Sequence, residues 1–281
     1  AVESAFAQRW LSVDGWSRLV EIGDVKGTLS SLLCGRPCVM VSGHYGNWEV
    51  LGSALALLGF PTHALYRPLD LKPLDQWLRK SRQRSGLVLI EKFGASDDLP
   101  AMMARGAMPG IVADQNAGDK GLFVPFFGRL ASTYKTIGLL AIAQRAPICV
   151  GLARRLAPDE IRDIDPDFFP LRYRLETVDT IEPDDFLSRP DPLFYIPARF
   201  RRAIESAVAA VPDQYLWMHR YWKSRPRFEK DGKPFPAALR RKLDQLPWMT
   251  QHEMDRLLEH SRQDSAAWAR QHPAQTPNPA P

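Results

Sequence analysis

The sequence predicts an α/β protein: a mainly parallel central sheet flanked by helices, with a helical C-terminal extension. Three observations carry that prediction. Short runs rich in Val, Ile and Leu recur as far as Ala153, and stretches of helical length and composition separate them. The longest apolar stretch, Leu51 to Phe60, contains Gly52, Ser53 and Gly59 and is only about half a bilayer span. With 45% hydrophobic and 25% charged residues, the 281-residue chain has ordinary globular composition, which excludes a disordered protein.

The strands expected in order are Pro37–Ser42, Thr62–Tyr66, Leu87–Glu91, Pro109–Ala113 and Pro147–Ala153. The helices between them are Asn47–Gly59, Leu71–Ser85, Asp97–Arg105 and Thr133–Arg145. A further stretch, Leu171–Val178, alternates Leu171, Tyr173, Leu175 and Thr177 with Arg172, Arg174 and Glu176, the pattern of a half-exposed edge strand. Beyond Pro183 the character changes. A helix is expected at Ala198–Ala210, then the aromatic, basic run Tyr215-Leu-Trp-Met-His-Arg-Tyr-Trp-Lys, then an amphipathic helix over Thr250–Ala269 with Met254, Leu257, Leu258 and Trp268 on its apolar side. The organisation expected is one domain over residues 1–270 and a disordered, proline-rich tail over 271–281.

Three cysteines, Cys34, Cys38 and Cys149, make an odd count in a long chain, which fits free thiols in a reducing compartment. Cys34 and Cys38 lack a second ligand pair and read as small core or loop residues. The net charge of +5 is unevenly placed. Between Arg199 and Lys242, 12 Lys/Arg face four acids, a net of +8 that leaves −3 for the rest. That segment reads as a solvated face, a grip on phosphates or anionic headgroups, or a dock for an acidic carrier protein. Trp217, Tyr221 and Trp222 within it favour a membrane interface. Nucleic acid is not expected, since no recognition module is present and the remainder is acidic.

The stretch that carries chemistry is Val41-Ser-Gly-His-Tyr-Gly-Asn-Trp-Glu-Val50. A strand runs into Gly43, Gly43 and Gly46 permit a sharp turn, and a helix begins near Asn47. His44 thus stands at the carboxyl end of a strand, where open α/β sheets place their ligands. On one helix His44 and Glu49 would lie about 140° apart, so they meet only if His44 is on the preceding turn. There Glu49 can fix the imidazole tautomer while the other nitrogen acts as base, and the N–H groups of the helix start can meet an oxyanion. The plain alternative is a turn histidine and a helix-cap acid. No Gly-x-Ser-x-Gly elbow is present, so the dyad suits deprotonation of a hydroxyl on a bound substrate. His252-Glu253 and Glu259-His260 lack zinc-protease spacing and read as a solvated helix face.

Gly-His-Tyr-Gly-Asn-Trp-Glu resembles the His-x4-Asp/Glu signature of the bacterial late acyltransferases of lipid A biosynthesis, a branch of the lysophospholipid acyltransferase superfamily. Tyr66-Arg67-Pro68, the stretch Arg82 to Gly86, Ala113-Asp114-Gln115 with Val124-Pro-Phe-Phe-Gly128, Ala131 and Thr133, and Tyr215 to Lys223 resemble further family blocks in the expected order. The resemblance spans about Leu32 to Pro226 and implies a glycerol-3-phosphate-acyltransferase-like fold. It implies transfer of a fatty acyl group from an acyl carrier protein or coenzyme A thioester to a glycolipid hydroxyl, without cofactor or metal.

On that reading His44 and Glu49 are catalytic, and Asn47, Arg67, Asp114 and Gln115 bind substrate. Arg67 would hold phosphate or a thioester-side oxygen, with a surface salt bridge as the alternative. Asp114 would organise Arg67 or the acceptor, with a loop cap as the alternative. Phe123, Phe126 and Phe127 either floor an acyl channel or simply fill core. The family's N-terminal hydrophobic helix precedes the catalytic block by many residues, so an anchor ahead of Ala1 is expected. The location implied is the cytoplasmic face of the inner membrane, against an anionic surface. Competing readings are acylation of mannosylated phosphatidylinositol or another lipid, an acyl-thioester hydrolase, and a basic lipid-binding protein.

Overall fold

The computed structural model describes Glu3, Ala7 and residues 11–33, 35–91, 95–161 and 171–272. They fall into two compact units: residues 1–114 with 136–219, and residues 115–135 with 220–281. The expected tail lies outside the described residues from 273 onward, as does Cys34.

In the first unit, α1 (Trp16–Leu19), β1 (Val20–Ile22) and α2 (Lys26–Leu33) lead into β2 (Val39–Ser42), α3 (Trp48–Leu57), β3 (Thr62–Tyr66), α4 (Lys72–Gln83), β4 (Val88–Glu91), α5 (Ala95–Ala104) and β5 (Met108–Val112). After the hairpin strands β6 (Leu122–Phe126) and β7 (Arg129–Thr133), the first unit resumes with α6 (Thr136–Gln144), β8 (Ile148–Arg155), β9 (Tyr173–Ile181), α7 (Pro183–Leu187) and α8 (Pro192–Ala210). The sheet runs β1-β9-β8-β2-β5-β3-β4. Every pairing is parallel except β8 with β9. All four residues of β2 are buried, as expected of a central strand covered on both faces. The mainly parallel α/β fold is therefore present as expected.

Two expectations change. The stretch around Leu171–Val178 is not an edge: β9 lies between β8 and β1. Its polar alternation has another cause. Arg174 pairs with Glu21 on β1 at 2.8 Å, and Arg154 on β8 pairs with Glu160 at 2.8 Å, so one face of this corner is an ion-pair layer. The three-residue β1 was too short to leave a periodic signal. The helix expected from Ala198 begins earlier, at Pro192, where Asp191 caps it by accepting from Phe194 N–H at 3.0 Å.

The second unit holds the β6–β7 hairpin with α9 (Arg227–Lys230), α10 (Ala237–Asp244) and α11 (Gln251–Gln271). Phe127 and Gly128, both at positive φ (52° and 70°), form the two-residue turn that a right-twisted hairpin prefers. Phe126 is fully buried, its ring 6.0 Å from those of Tyr221 and Trp222, so for this residue core filling is what the fold shows. Arg225, also buried, donates to Glu229 at 2.7 Å and pairs with Asp264 at 2.8 Å. On α11, Glu253 is part of the Thr250 capping box and His260 Nδ1 lies 2.7 Å from the Gly128 carbonyl, so these residues are structural.

Candidate active site

The site is set by strand register. β2 and β5 pair in parallel with Ser42 opposite Val112. Two residues further along each strand stand His44 and Asp114, so the ladder itself delivers them to one place at the carboxyl edge of the sheet. The Ala113 N–H donates to the Ser42 carbonyl at 2.8 Å, continuing the pairing to the residue before Asp114.

The turn that carries His44 is clamped on both sides. The Asn47 N–H donates to the Ala153 carbonyl on β8 at 2.9 Å. The Gly46 N–H donates to Gln214, and the His44 carbonyl accepts from Leu216 N–H, each at 2.9 Å. Gly46 has φ +57°, and a β-carbon there would sit 2.1 Å from the Ala153 oxygen, so only glycine fits. At Gly43 a β-carbon would come within 3.3 Å of Asp114 Oδ2, so its absence lets the carboxylate close on the turn. Asn47 is the N-cap of α3, its Oδ1 accepting from Val50 N–H at 3.2 Å.

Asp114 holds His44 twice. Its Oδ1 lies 2.6 Å from His44 Nδ1, and its Oδ2 accepts the His44 backbone N–H at 2.7 Å. The carboxylate is wholly buried while the imidazole stays 12% exposed, so the ring is fixed from below and open to a ligand above. Burial alone would raise the Asp114 carboxyl. The ring and backbone hydrogen bonds from His44, with the field of Arg201, outweigh it and hold the group below the usual carboxylate range. Arg201, which the sequence reading placed in the basic segment, is itself fully buried.

The expectation placed Glu49 on the imidazole. In the structure Asp114 occupies Nδ1, and Glu49 forms a bidentate pair with Arg82 of α4, at 2.8 Å from Nε and 2.5 Å from Nη2. Both partners are largely shielded, Arg82 at 21% and Glu49 at 16% exposure. Arg67 follows β3 and is exposed. Gln115 is half-buried and begins the second unit.

Two residues at the imidazole escaped the sequence reading. Trp48 and His219 meet the His44 ring edge-on at 4.8 and 4.4 Å between centroids. Burial and the charge of His44 lower the His219 pKa, against the opposing field of Asp114. A histidine inside the aromatic run of residues 215–223 was the available signal. On the same unit, Leu29, Met40, Leu51, Leu55, Gly151 and Leu175 line part of an apolar cavity of about 250 Å³. Among the described residues no group of three or more His, Cys, Asp or Glu is placed to share a metal ion.

This arrangement can take a proton from a hydroxyl. The family model described as bacterial lipid A biosynthesis acyltransferase matches residues 12–158 of the chain. A lipid A biosynthesis palmitoleoyltransferase of Escherichia coli (strain K12) is 26% identical over 223 residues, covering 78% of this chain and 63% of that protein. A lipid A biosynthesis acyltransferase of Shigella flexneri gives the same figures. A lipid A biosynthesis lauroyltransferase of E. coli is 24% identical over 225 residues, again 78% of this chain and 63% of that protein. The chain thus spans 63% of the length of these relatives.

Proposed function

The chain belongs to the bacterial lipid A biosynthesis acyltransferase family, and from that premise we propose that it transfers a fatty acyl group from an acyl thioester to a hydroxyl of a lipid A precursor. The observation that carries this reading is the 2.6 Å contact between His44 Nδ1 and the buried Asp114 carboxylate. With Nδ1 committed to Asp114, Nε2 takes the proton from the acceptor hydroxyl. The acceptor oxygen attacks the thioester carbonyl, and the oxyanion forms near the positive end of α3. Collapse of the intermediate forms the ester, breaks the C–S bond and returns the proton from the imidazolium to the leaving thiolate. Asp114 orients the ring and stabilises its charged form throughout.

The remaining residues have supporting parts in this reading. Glu49 acts through Arg82, fixing α3 against α4 and so the turn that presents His44. Arg67, at a neighbouring strand end and exposed, meets phosphate of the acceptor or an oxygen of the donor, and Gln115, next in the chain after Asp114, is a further polar group for the substrate. Asn47 serves by holding the first turn of α3. The donor is an acyl carrier protein or coenzyme A thioester, and the apolar cavity beside β2 and α3 suits part of an alkyl chain. Such an enzyme works at the cytoplasmic face of the inner membrane. No helix among the described residues is long and apolar enough to cross a membrane.

The test is mass spectrometry of a lipid A precursor incubated with the protein and either donor. One additional acyl chain is expected, with His44→Ala lowering turnover by about 10²–10⁴-fold. Thioester cleavage at the same rate with and without the acceptor would identify a hydrolase instead.

A further inference from the structure

A second buried charge stands behind the Asp114 carboxylate. Arg201 is fully buried on α8, and among the buried residues of that helix it carries the one charge. At 100° per residue, buried Phe194, Ile204 and Val208 lie within about 60° of it, so Arg201 sits near the middle of the apolar face. A guanidinium taken out of water there is costly unless an opposite charge answers it. The two neighbouring arginines of α8 answer other acids: Arg199 pairs with Asp179 at 2.8 Å and Asp185 at 2.9 Å, and Arg202 with Glu205 at 3.7 Å.

The face that carries Arg201 reaches the turn of His44 at Gly43. A β-carbon at Gly43 would meet the Ile204 methyl at 2.9 Å and Asp114 Oδ2 at 3.3 Å, so the end of β2, the carboxylate and α8 converge on one point. Arg201 lies one turn before Ile204 on that face. Burial pushes the Asp114 carboxyl up, and the hydrogen bonds of His44 with the field of Arg201 bring it down. The other groups around the pair supply no such fixed charge. Trp48 and His219 meet the His44 ring, and burial with the charge of His44 lowers the His219 pKa. Glu49 is committed to Arg82 on α4.

Charge balance gives the arginine a task. With a neutral imidazole, Arg201, Asp114 and His44 sum to zero, and one further proton leaves a buried positive charge. Without the guanidinium the same proton would bring a buried negative charge to neutrality, and a shielded site would take it up readily. Held on Asp114 or on His44 Nε2, that proton would silence the base.

We propose that Arg201 is a positioning residue for the proton transfer: its buried guanidinium is the counter-charge that keeps Asp114 a carboxylate beneath His44 and leaves Nε2 vacant. This rests on the acyl-transfer reading above and names what sets the charge of that same site. Arg201 touches no substrate and acts through Asp114.

Two measurements test it. In urea unfolding at pH 7, Asp114→Asn and Arg201→Met each strand a buried charge and should lower the midpoint. The double variant removes both charges and should lie at or above the less stable single variant, even where Arg201→Met alone does not fold. In acyl transfer followed from pH 5 to pH 9, Arg201→Met should move the acid limb of kcat/KM up by about one pH unit or more. Its deficit, about tenfold on that limb, should shrink as pH rises. Arg201→Lys keeps the charge and should hold the limb within about 0.3 unit of the wild type. A deficit equal at every pH makes Arg201 a packing residue and overturns the proposal. So does a lysine variant whose limb moves as far as that of the methionine variant, or a double variant whose midpoint loss is the sum of the single losses. A wild-type chain that transfers no acyl group while the midpoints couple as stated leaves the Arg201–Asp114 charge pair standing and removes the acyltransferase reading.

Discussion

Two carboxylates brace the turn that carries His44, and they do opposite things because of what they face. Asp114 comes from β5, 70 residues away from His44, and meets an imidazole. Glu49 sits in the first turn of α3, five residues from His44 along the chain, and meets a guanidinium. An arginine stays protonated at any working pH, so its pair with Glu49 is a fixed clamp. An imidazole has a second nitrogen that can take or give a proton, so the pair with Asp114 leaves His44 able to run chemistry. Proximity in sequence favoured Glu49 as the orienting acid. Proximity in space gives that position to Asp114.

The largest effect expected from this difference is on turnover. Asp114→Asn keeps the shape of the side chain but presents the wrong hydrogen-bonding partner to Nδ1 and withdraws the negative charge beneath the ring. Turnover should fall by about 10³–10⁴-fold, with the apparent affinity for the acyl donor little changed. Steady-state kinetics on the variant checks this. A loss of tenfold or less would remove Asp114 from the mechanism and restore Glu49 as the acid to examine.

The sequence made much of this legible, but not the pairing. The strand ends, the two glycines and His44 all leave local signals: β3, expected at Thr62–Tyr66, is found there, β2 begins two residues later than expected, and β8 begins one residue later and ends two later. What joins His44 to Asp114 is the register Ser42 opposite Val112, a tertiary fact with no local signature. The basic segment misled for the same reason. Arg201 and Arg225 count as surface charge in a sequence, yet each is buried, the first beside Asp114 and the second among Glu229 and Asp264. Composition counts charges and cannot see which are already matched within the fold.

Gly46 lies between the two carboxylate pairs, and Gly46→Ala should disturb both. The substitution forces an alanine to φ +57° and drives its β-carbon to 2.1 Å from a backbone oxygen of β8, which has no rotamer with which to yield. A loss of about 3 kcal/mol or more is expected in urea unfolding. Gly43→Ala should cost less, since its nearest neighbour is the Ile204 methyl at 2.9 Å, yet it should depress turnover by pressing on Asp114 Oδ2 at 3.3 Å. Equal stability losses at the two positions would show that the clamp on β8 is weaker than its geometry implies.

The Glu49–Arg82 clamp gives a smaller and differently shaped effect. Removing either partner strands the other in a mostly shielded place. Glu49→Ala and Arg82→Ala should therefore each cost about 1–3 kcal/mol of stability. The double variant should cost little more than either one, because the pair acts as a unit. Turnover should follow the same pattern, with equal losses that do not add. A double variant whose turnover loss is the product of the single losses would mean that Glu49 touches the reaction independently of Arg82.

The smallest effect separates the two pairs by pH. The Asp114 carboxyl is held below its ordinary value of 3.8 in the folded chain. In the window between that value and its lower folded one, the unfolded chain binds more protons than the native chain. Stability therefore rises with pH across the window and is flat above it. Run downward, acidification through pH 4 removes the part of native stability that the ionised Asp114 supplies, and Asp114→Asn has no such part to lose. Urea midpoints from pH 7 to pH 3 should fall more steeply for the wild type than for the variant, with the two curves converging at the acid end. Parallel curves would mean that Asp114 keeps its proton affinity on folding. The hydrogen bonds from His44 would then only offset the burial of the carboxylate rather than outweigh it.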